Sequence, residues 1–433
     1  MSDRGEGRGN AWTVFALLAM VMYGNFYIYD SIGPVADLLQ RQRGFNSTQI
    51  GMLNAIYNLP NVVLILVGGV LVDRYGAARM TLCTAAVCLA GAALTAFSPS
   101  FAGMAAGRLL FGIGAETFII GMLVAIAENF AGGNVAFAMG LSIGIGRLGS
   151  FSADMSPTWF AEAYRQGWQP PLIIAMLVAA TSFAAAVAYW WFDRRMQGNT
   201  PVRVSGMVQR FVLGDLLRFG STYWNLLALC VLWYAVIFAF RSTFSIEYFQ
   251  HAHDLDLATA GAMNSYVFLA AMFTTPAFGW LCDRTGWYAP MLAFGTLLLP
   301  LSIAVMALTH WSLWLATAMI GVSFSLVPAV MWPLTSKLVS PTRYGTALGL
   351  MSVVQNSGIA GANLVAGSLN DWTAASAHNP AGYQPMMLFF GAVSSLGFGF
   401  ALLLWFTSGR RQREAADHAA CPHAPPGCKG RVN

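Results

Sequence analysis

The amino-acid sequence predicts an all-α membrane protein, with twelve transmembrane helices arranged as two pseudo-symmetric halves of six. Three observations carry this. Only 9% of the 433 residues are charged while 57% are hydrophobic, against about 25% charged in a water-soluble domain. Lipid must therefore be the solvent for most of the surface. The apolar runs are long enough to cross a bilayer, which takes about 20 residues each. The chain also repeats itself: Gly69-Val70-Leu71-Val72-Asp73-Arg74-Tyr75-Gly76 returns 210 positions later as Gly279-Trp280-Leu281-Cys282-Asp283-Arg284-Thr285-Gly286.

The same offset pairs Gly51 with Gly261 and Asn54 with Asn264. At an offset of 209, Ala138-Met139-Gly140-Leu141 faces Ala347-Leu348-Gly349-Leu350, and Gly149 faces Gly358. In chain order the expected spans are 11–32, 50–72, 81–98, 101–127, 134–156, 170–192, 222–246, 259–281, 289–309, 312–338, 344–369 and 384–406. The first six form an N-terminal half, 1–192, and the last six a C-terminal half, 222–406. A basic, partly amphipathic linker, 193–221, joins them along the membrane surface. The polar, Pro-rich stretch 407–433 is expected to be a disordered cytoplasmic tail. The first span is too long for the apolar core of a cleavable signal peptide.

Basic residues set the orientation. Arg4, Arg8, Arg74, Arg79, Arg194, Arg195, Arg203, Arg210, Arg218, Arg284, Lys337, Arg343, Arg410, Arg411 and Arg413 fall on one side; Arg41, Arg43 and Arg165 fall on the other. Both termini are therefore expected in the cytoplasm, in a multi-pass protein of the cell membrane. The net charge of +5 reflects anchoring to anionic lipid, so no nucleic-acid partner is expected. Cys83, Cys88, Cys230 and Cys282 give no disulfide pattern. Cys421, Cys428, His418 and His423 cluster in the tail but match no zinc spacing. Asn46-Ser47-Thr48 has the form of a glycosylation sequon, yet reads better as the cap of the second span. Glycines and prolines within spans, among them Pro60, Gly144, Gly146, Gly149, Pro276, Pro328 and Pro333, allow close packing and kinks.

Charges inside the spans are the sharper signal. An ionisable side chain at the bilayer centre costs about 2.5–3.5 kcal/mol, so such groups face a polar cavity or pair with one another. Glu116 on the fourth span and Arg147 on the fifth both fall near mid-membrane. A structural ion pair would explain them; so would a site that meets the two opposite charges of one solute. Arg108 and Asp154 read as structural charges, with Arg108 clamping backbone carbonyls or Asp154. Asp30 and Arg241 fall at matching outer depth in equivalent spans and could pair when the outside is closed. The turns Asp73-Arg74 and Asp283-Arg284 are expected to hold the cytoplasmic side shut, each carboxylate accepting from a neighbouring helix N-terminus. Asn54, Tyr57, Tyr234, Asn264, Trp332, Gln355 and Asn356 are further candidates for solute contact, since amides in a membrane helix need partners. No nucleotide loop, metal motif or nucleophile–base set is present, so neither an enzyme nor a cofactor is expected.

With these residues in place, the chain resembles the lysosomal dipeptide uniporter branch of the major facilitator transporters. The matching landmarks are Tyr29-Asp30, Pro60-Asn61-Val62-Val63-Leu64 leading to Gly69 and Asp73, and Gly107-Arg108 with Phe111-Gly112-Ile113-Gly114 and Glu116. Arg147 with Gly149-Ser150, Asn264-Ser265, Trp332-Pro333, Gly345-Thr346-Ala347 and Gln355-Asn356 complete them. The resemblance implies the major facilitator fold and transport of dipeptides or another small zwitterion without need of a proton gradient. It implies that Glu116 meets the peptide's amino group and Arg147 its carboxylate. Arg241 and the His251/His253 region match nothing in that branch. No acidic dileucine sorting signal stands in either terminus, which favours the cell surface over a lysosome. A monomer is expected, and the branch's accessory glycoprotein is not assumed here. Two other classes stay open: a proton-coupled exporter of drugs or organic ions, with Glu116 or Asp154 carrying the proton, and a membrane receptor that transports nothing.

Overall fold

The computed structural model describes residues 3–61, 64, 68, 71–72, 74–130, 134–196, 218–309, 311–340 and 343–420. In the first half, α1 (Asp3–Asp30) leads through a 3-10 turn (Gly33–Val35) into the short α2 (Ala36–Arg43). Then follow α3 (Ser47–Asn58), α4 (Ala77–Phe97), α5 (Phe101–Asn129), α6 (Val135–Trp159), the short α7 (Ala161–Gln166) and α8 (Gln169–Met196). In the second half, α9 (Ser221–Ala239) passes through a π-helical turn (Phe240–Phe244) into α10 (Ser245–His253). After it come α11 (Leu257–Thr285), α12 (Tyr288–Leu308), α13 (Leu313–Leu338), α14 (Tyr344–Trp372), a 3-10 turn (Pro380–Tyr383) and α15 (Gln384–Ala420). Among the described residues, nine helical stretches are long and apolar enough to cross a bilayer. The helices α6 and α14 are as long but carry more polar side chains, and part of the second expected span lies outside the described residues.

The helix ends explain why the sequence repeats where it does. Asn46 caps α3 in a capping box, its side chain accepting from the Gln49 N–H at 2.8 Å and the Gln49 side chain accepting from the Asn46 N–H. Its counterpart 210 positions on, Asp256, caps α11 through the Thr259 N–H at 3.1 Å. These bonds, with that to the Thr259 hydroxyl first, hold the Asp256 carboxyl below the usual carboxylate range. Each replaces a bond that the first turn of a helix lacks. Gly76 (φ 84°) and Gly286 (φ 69°) sit in the left-handed region that the repeated turn requires; there a Cβ would be strained. The glycine three residues after each Asp of the repeat is thus a turn residue.

Helix packing obeys the same two-fold rule. In the first half α1 packs on α6 and α8, α4 on α5 and α8, and α3 on α5. In the second half α9 packs on α14 and α15, α12 on α13 and α15, and α11 on α13. The halves meet chiefly along two equivalent seams, α3 against α14 and α6 against α11. These seams lie at one rim, the one expected from the arginine distribution to face the outside and called the outer rim below. Side-chain size sets the approach: a Cβ on Gly51 would stand 2.4 Å from the Asn363 carbonyl oxygen, and one on Gly261 2.4 Å from the Asp154 carbonyl oxygen.

Several boundaries differ from the sequence reading. The first helix starts before residue 11, at Asp3, and the sixth expected span runs on to Met196, into the stretch assigned to the linker. The last helix continues to Ala420, past the expected end at 406. Arg, Gln, Glu and Ala in Arg410-Arg411-Gln412-Arg413-Glu414-Ala415-Ala416 are all strong helix formers, so the helix has no reason to stop at the membrane edge. Residues 197–217 and 421–433, including Cys421, His423 and Cys428, lie outside the described residues.

Candidate functional site

Glu116 and Arg147 occupy mid-length positions on α5 and α6, both half-buried. They do not form an ion pair with each other. Glu116 accepts a hydrogen bond from the Tyr57 hydroxyl of α3 at 3.0 Å. Tyr57 in turn packs against Tyr29 and Phe111, with ring centroids 4.6 and 5.3 Å away. The guanidinium of Arg147 lies among the rings of Phe324, Phe26 and Phe268, at 4.6, 5.5 and 5.8 Å from their centroids. Among the described residues it has no hydrogen-bonding or acidic partner. Rings attract a cation but cannot replace hydrogen bonds to its five N–H groups. The second half contributes Trp332 of α13, whose indole N–H donates to the Tyr234 hydroxyl of α9 at 3.1 Å. From α14, Asn356 donates to its own helix at the Ser352 carbonyl, 2.9 Å away. Among the described residues the buried Oε1 of Gln355 has no hydrogen-bond partner.

The other charges build the outer rim. Arg241 lies within the π-helical turn, 2% exposed. It donates to Asp30 of α1 at 3.0 Å through one nitrogen and to Asp154 of α6 through another. One second-half cation thus joins two first-half carboxylates. Asn264 adds to the cluster, donating to Asp154 at 3.0 Å and to the Arg241 carbonyl at 3.1 Å. Its repeat mate Asn54 donates to Thr243 Oγ1 at 2.8 Å and to the Ser242 carbonyl at 3.2 Å, and Thr243 donates on to Asn363 at 2.6 Å. Both amides expected to contact solute are therefore buried in the interface between halves, with their donors used there. The reason is the repeat itself, which puts each of them on a helix that forms a seam.

Arg108 is 1% exposed and has no contact with Asp154, one of its two expected partners. It donates to the Ile28 and Tyr29 carbonyls at 3.0 and 3.1 Å, to the Leu53 carbonyl at 3.3 Å and to Asn54 Oδ1 at 2.6 Å. The first two carbonyls end α1, where a helix leaves acceptors unpaired and its dipole favours a cation. At the opposite rim, Asp283 accepts from the Tyr288 hydroxyl at 2.7 Å, and Arg284 stacks over Trp280 at 5.2 Å. Arg74 lies 5.5 Å from the Tyr75 ring. Asp73 lies outside the described residues.

A second polar set at the outer rim was missed by sequence reasoning. Asp371 of α14 accepts from the Ser47 and Thr48 N–H groups at 2.7 and 2.9 Å, so the start of α3 is capped from the other half. Gln40 donates to both Glu247 oxygens, at 3.2 and 3.1 Å. His251, near the outer end of its span, is buried and lies 3.0 Å from Asp37 and 2.7 Å from the Tyr383 hydroxyl. The repeat held a signal for this set: the acid and base of Asp37/Arg41, four positions apart, recur 210 residues on as Glu247/His251.

Residues 15–363 match the sequence profile described as Major Facilitator Superfamily. The chain is 26% identical over 407 residues to the lysosomal dipeptide transporter MFSD1 of Homo sapiens, which covers 91% of this chain and 86% of that protein. It is 28% identical over 371 residues to the protein of the same name from Danio rerio, covering 83% and 80%. In fold it is similar to the nucleoside transporter NupG, with a TM-score of 0.72, 13% identity, and 90% of this chain and 99% of that one covered. It is equally similar to a bacterial homologue of the human lysosomal transporter Spinster, solved inward-facing and unoccupied. There the TM-score is 0.72 at 14% identity, with 91% and 97% covered.

Proposed function

The chain belongs to the major facilitator superfamily, a family of membrane transporters, and we propose that it carries dipeptides, or another small zwitterion, by alternating access. One observation carries this reading. Glu116 and Arg147 present opposite charges from adjacent helices at mid-length, half-open, and among the described residues neither has an oppositely charged partner. A solute with one charge at each end offers both of them a partner at once. A solute with one charge leaves the other group poorly paired, which is expensive in a low-dielectric site. Arginine suits a carboxylate because its planar fork gives two parallel hydrogen bonds. Relatives named dipeptide transporters support the solute class. Tyr57 orients Glu116, while the Tyr234–Trp332 pair and the free Gln355 oxygen offer the second half's side of the site.

The site is tied to the outer rim through one ring. Phe268 of α11 lies 5.8 Å from Arg147 and 3.6 Å from Arg241, one on each side of the seam. A solute that draws Arg147 off its rings would disturb the packing under Arg241. The chain acts as a monomer in the cell membrane, with both termini in the cytoplasm.

The test is dipeptide counterflow and binding in proteoliposomes, with and without a pH gradient. Arg147→Lys should weaken binding at least tenfold although charge is kept, as expected where a bidentate pair becomes a single contact. Glu116→Gln should weaken recognition of a free amino terminus and affect N-acetylated dipeptides less. Wild-type affinity in both variants would show that the two charges serve structure only. Flux that stops without a proton gradient, with Glu116→Gln losing only that coupling, would replace this reading with proton-coupled export.

A further inference from the structure

We propose that the outer rim is a proton-binding site: closing the two halves there takes up one proton into the row Asp37–His251–Tyr383–Glu247, and opening returns it to the water outside. The row is one hydrogen short. Three contacts link the four groups in sequence: Asp37 Oδ1 to His251 Nε2 at 3.0 Å, His251 Nδ1 to Tyr383 Oη at 2.7 Å, and Tyr383 Oη to Glu247 Oε1 at 2.7 Å. Each is a hydrogen-bond distance, and each needs one hydrogen between its heavy atoms. With both carboxylates ionised, the imidazole neutral and the phenol intact, the row holds two hydrogens for three contacts. The third has to come from solution. It can rest on the imidazole, so that both ring nitrogens donate, or on either carboxyl; the count is the same in each case.

The surroundings point the same way. Glu247 is 1% exposed, and Asp37 and His251 are each 8% exposed. Arg41 on α2 holds Asp37 at 2.8 Å, and Gln40 donates to Glu247 but carries no charge. The other titratable groups packed nearby are Tyr248, whose hydroxyl donates to the Met306 carbonyl at 3.2 Å, and His253, whose ring meets that of Tyr248 at 5.1 Å. Two carboxylates against one guanidinium leave the buried row one negative charge in excess, and the added proton removes it. Asp37 belongs to the first half, and His251, Tyr383 and Glu247 to the second, so the row exists only while the rim is closed. Once it parts, water supplies hydrogens to each group and no proton is required. A cavity of about 550 Å³, lined in part by Tyr248, His253, Thr309 and Tyr383, meets the row at Tyr383.

The sign follows from linkage. The closed rim binds one proton more than the open rim, so closure is favoured at low pH and lost as pH rises. For one proton the closed-to-open ratio changes by up to about tenfold per pH unit. None of this depends on which solute is carried.

The experiment uses the full chain in lipid nanodiscs without solute. Spin labels go on Ala102→Cys and Ala377→Cys, exposed positions on opposite halves at this rim, with Cys83, Cys421 and Cys428 replaced by serine. Double electron–electron resonance from about pH 4.5 to about pH 8.5 reads how the rim distance changes with proton concentration. In the wild type the short-distance population should fall as pH rises, with a slope near one proton. His251→Gln and Tyr383→Phe should flatten that slope. Gln40→Ala weakens the rim without removing a titrating hydrogen, so it should shift the ratio and keep the slope. A wild-type rim insensitive to pH, a His251→Gln variant that titrates like the wild type, or a flattened slope in Gln40→Ala would each overturn the proposal. A pH-insensitive rim in a chain that still carries dipeptides would do so while leaving the transport reading intact.

Discussion

Substituting alanine for Gly51 or Gly261 should open the outer rim while leaving each half as stable as before, or more so. In both cases the added carbon meets a backbone oxygen of the other half at 2.4 Å. A carbon normally stands about 3.3–3.6 Å from a carbonyl oxygen. The seam would therefore have to widen by about 1 Å, and a helix backbone cannot turn away as a side chain can. Overpacking of this kind costs about 1–3 kcal/mol. That cost falls on the contact between halves, not on the fold of either one. Within its own helix, alanine in place of glycine contributes up to about 1 kcal/mol of stability. The two effects have opposite signs and appear in different measurements. Resonance distances across the rim should show the closed population reduced by about 5- to 150-fold relative to the open one. Thermal unfolding should be unchanged or move upward. Because the two glycines are equivalent in the repeat, the two variants should behave alike. A closed population equal to that of the wild type, or unfolding at lower temperature with no change in rim distance, would refute the reasoning.

Two further outcomes are expected. Arg241→Met leaves Asp30 and Asp154 facing each other without their shared cation, and breaking such a buried pair costs about 3–5 kcal/mol. The rim distance should lengthen in nearly all molecules; a rim that stays closed would mean that the triad contributes little to closure. Reporter fusions made after Asn46 and after Gly198 should report opposite sides of the membrane, as the arginine asymmetry requires, and the same side for both would overturn the topology.

Composition alone pointed to the membrane fold, because 9% charge cannot cover a water-facing surface. The repeat pointed further than its turns: Gly51 with Gly261 and Asn54 with Asn264 mark the two seams. What stayed hidden were partners separated by long stretches of chain. Asp30 and Arg241 could be matched by depth, but nothing local showed that Asp154 is the third member, since the π-helical turn that aims Arg241 leaves no mark in composition. Arg108 and Asp154 looked like candidates for each other on neighbouring spans, yet each found stronger partners elsewhere: the carbonyl ends of α1 for one, the cation of the opposite half for the other. The row around His251 was passed over because Asp37, Glu247 and Tyr383 lie far apart in the chain. Burial there depends on α2 and the Pro380–Tyr383 turn folding over the rim, which no periodicity records.

The cap that Asp371 lends to α3 also governs how the rim responds to heat. Where the halves part at this rim, the contacts exchanged for water include N–H groups, amides and carboxylates: Ser47 and Thr48 with Asp371, Gln40 with Glu247, Asn264 with Asp154. Exposing polar surface lowers heat capacity by about 0.26 cal/K/mol per Å², whereas exposing apolar surface raises it by about 0.45. A seam that mixes both kinds lets the two terms offset each other. Its opening equilibrium then follows a nearly straight line with temperature rather than the dome of a hydrophobic core. Such a gate has no temperature of maximum closure; it shifts in one direction as the membrane warms, long before either half begins to unfold.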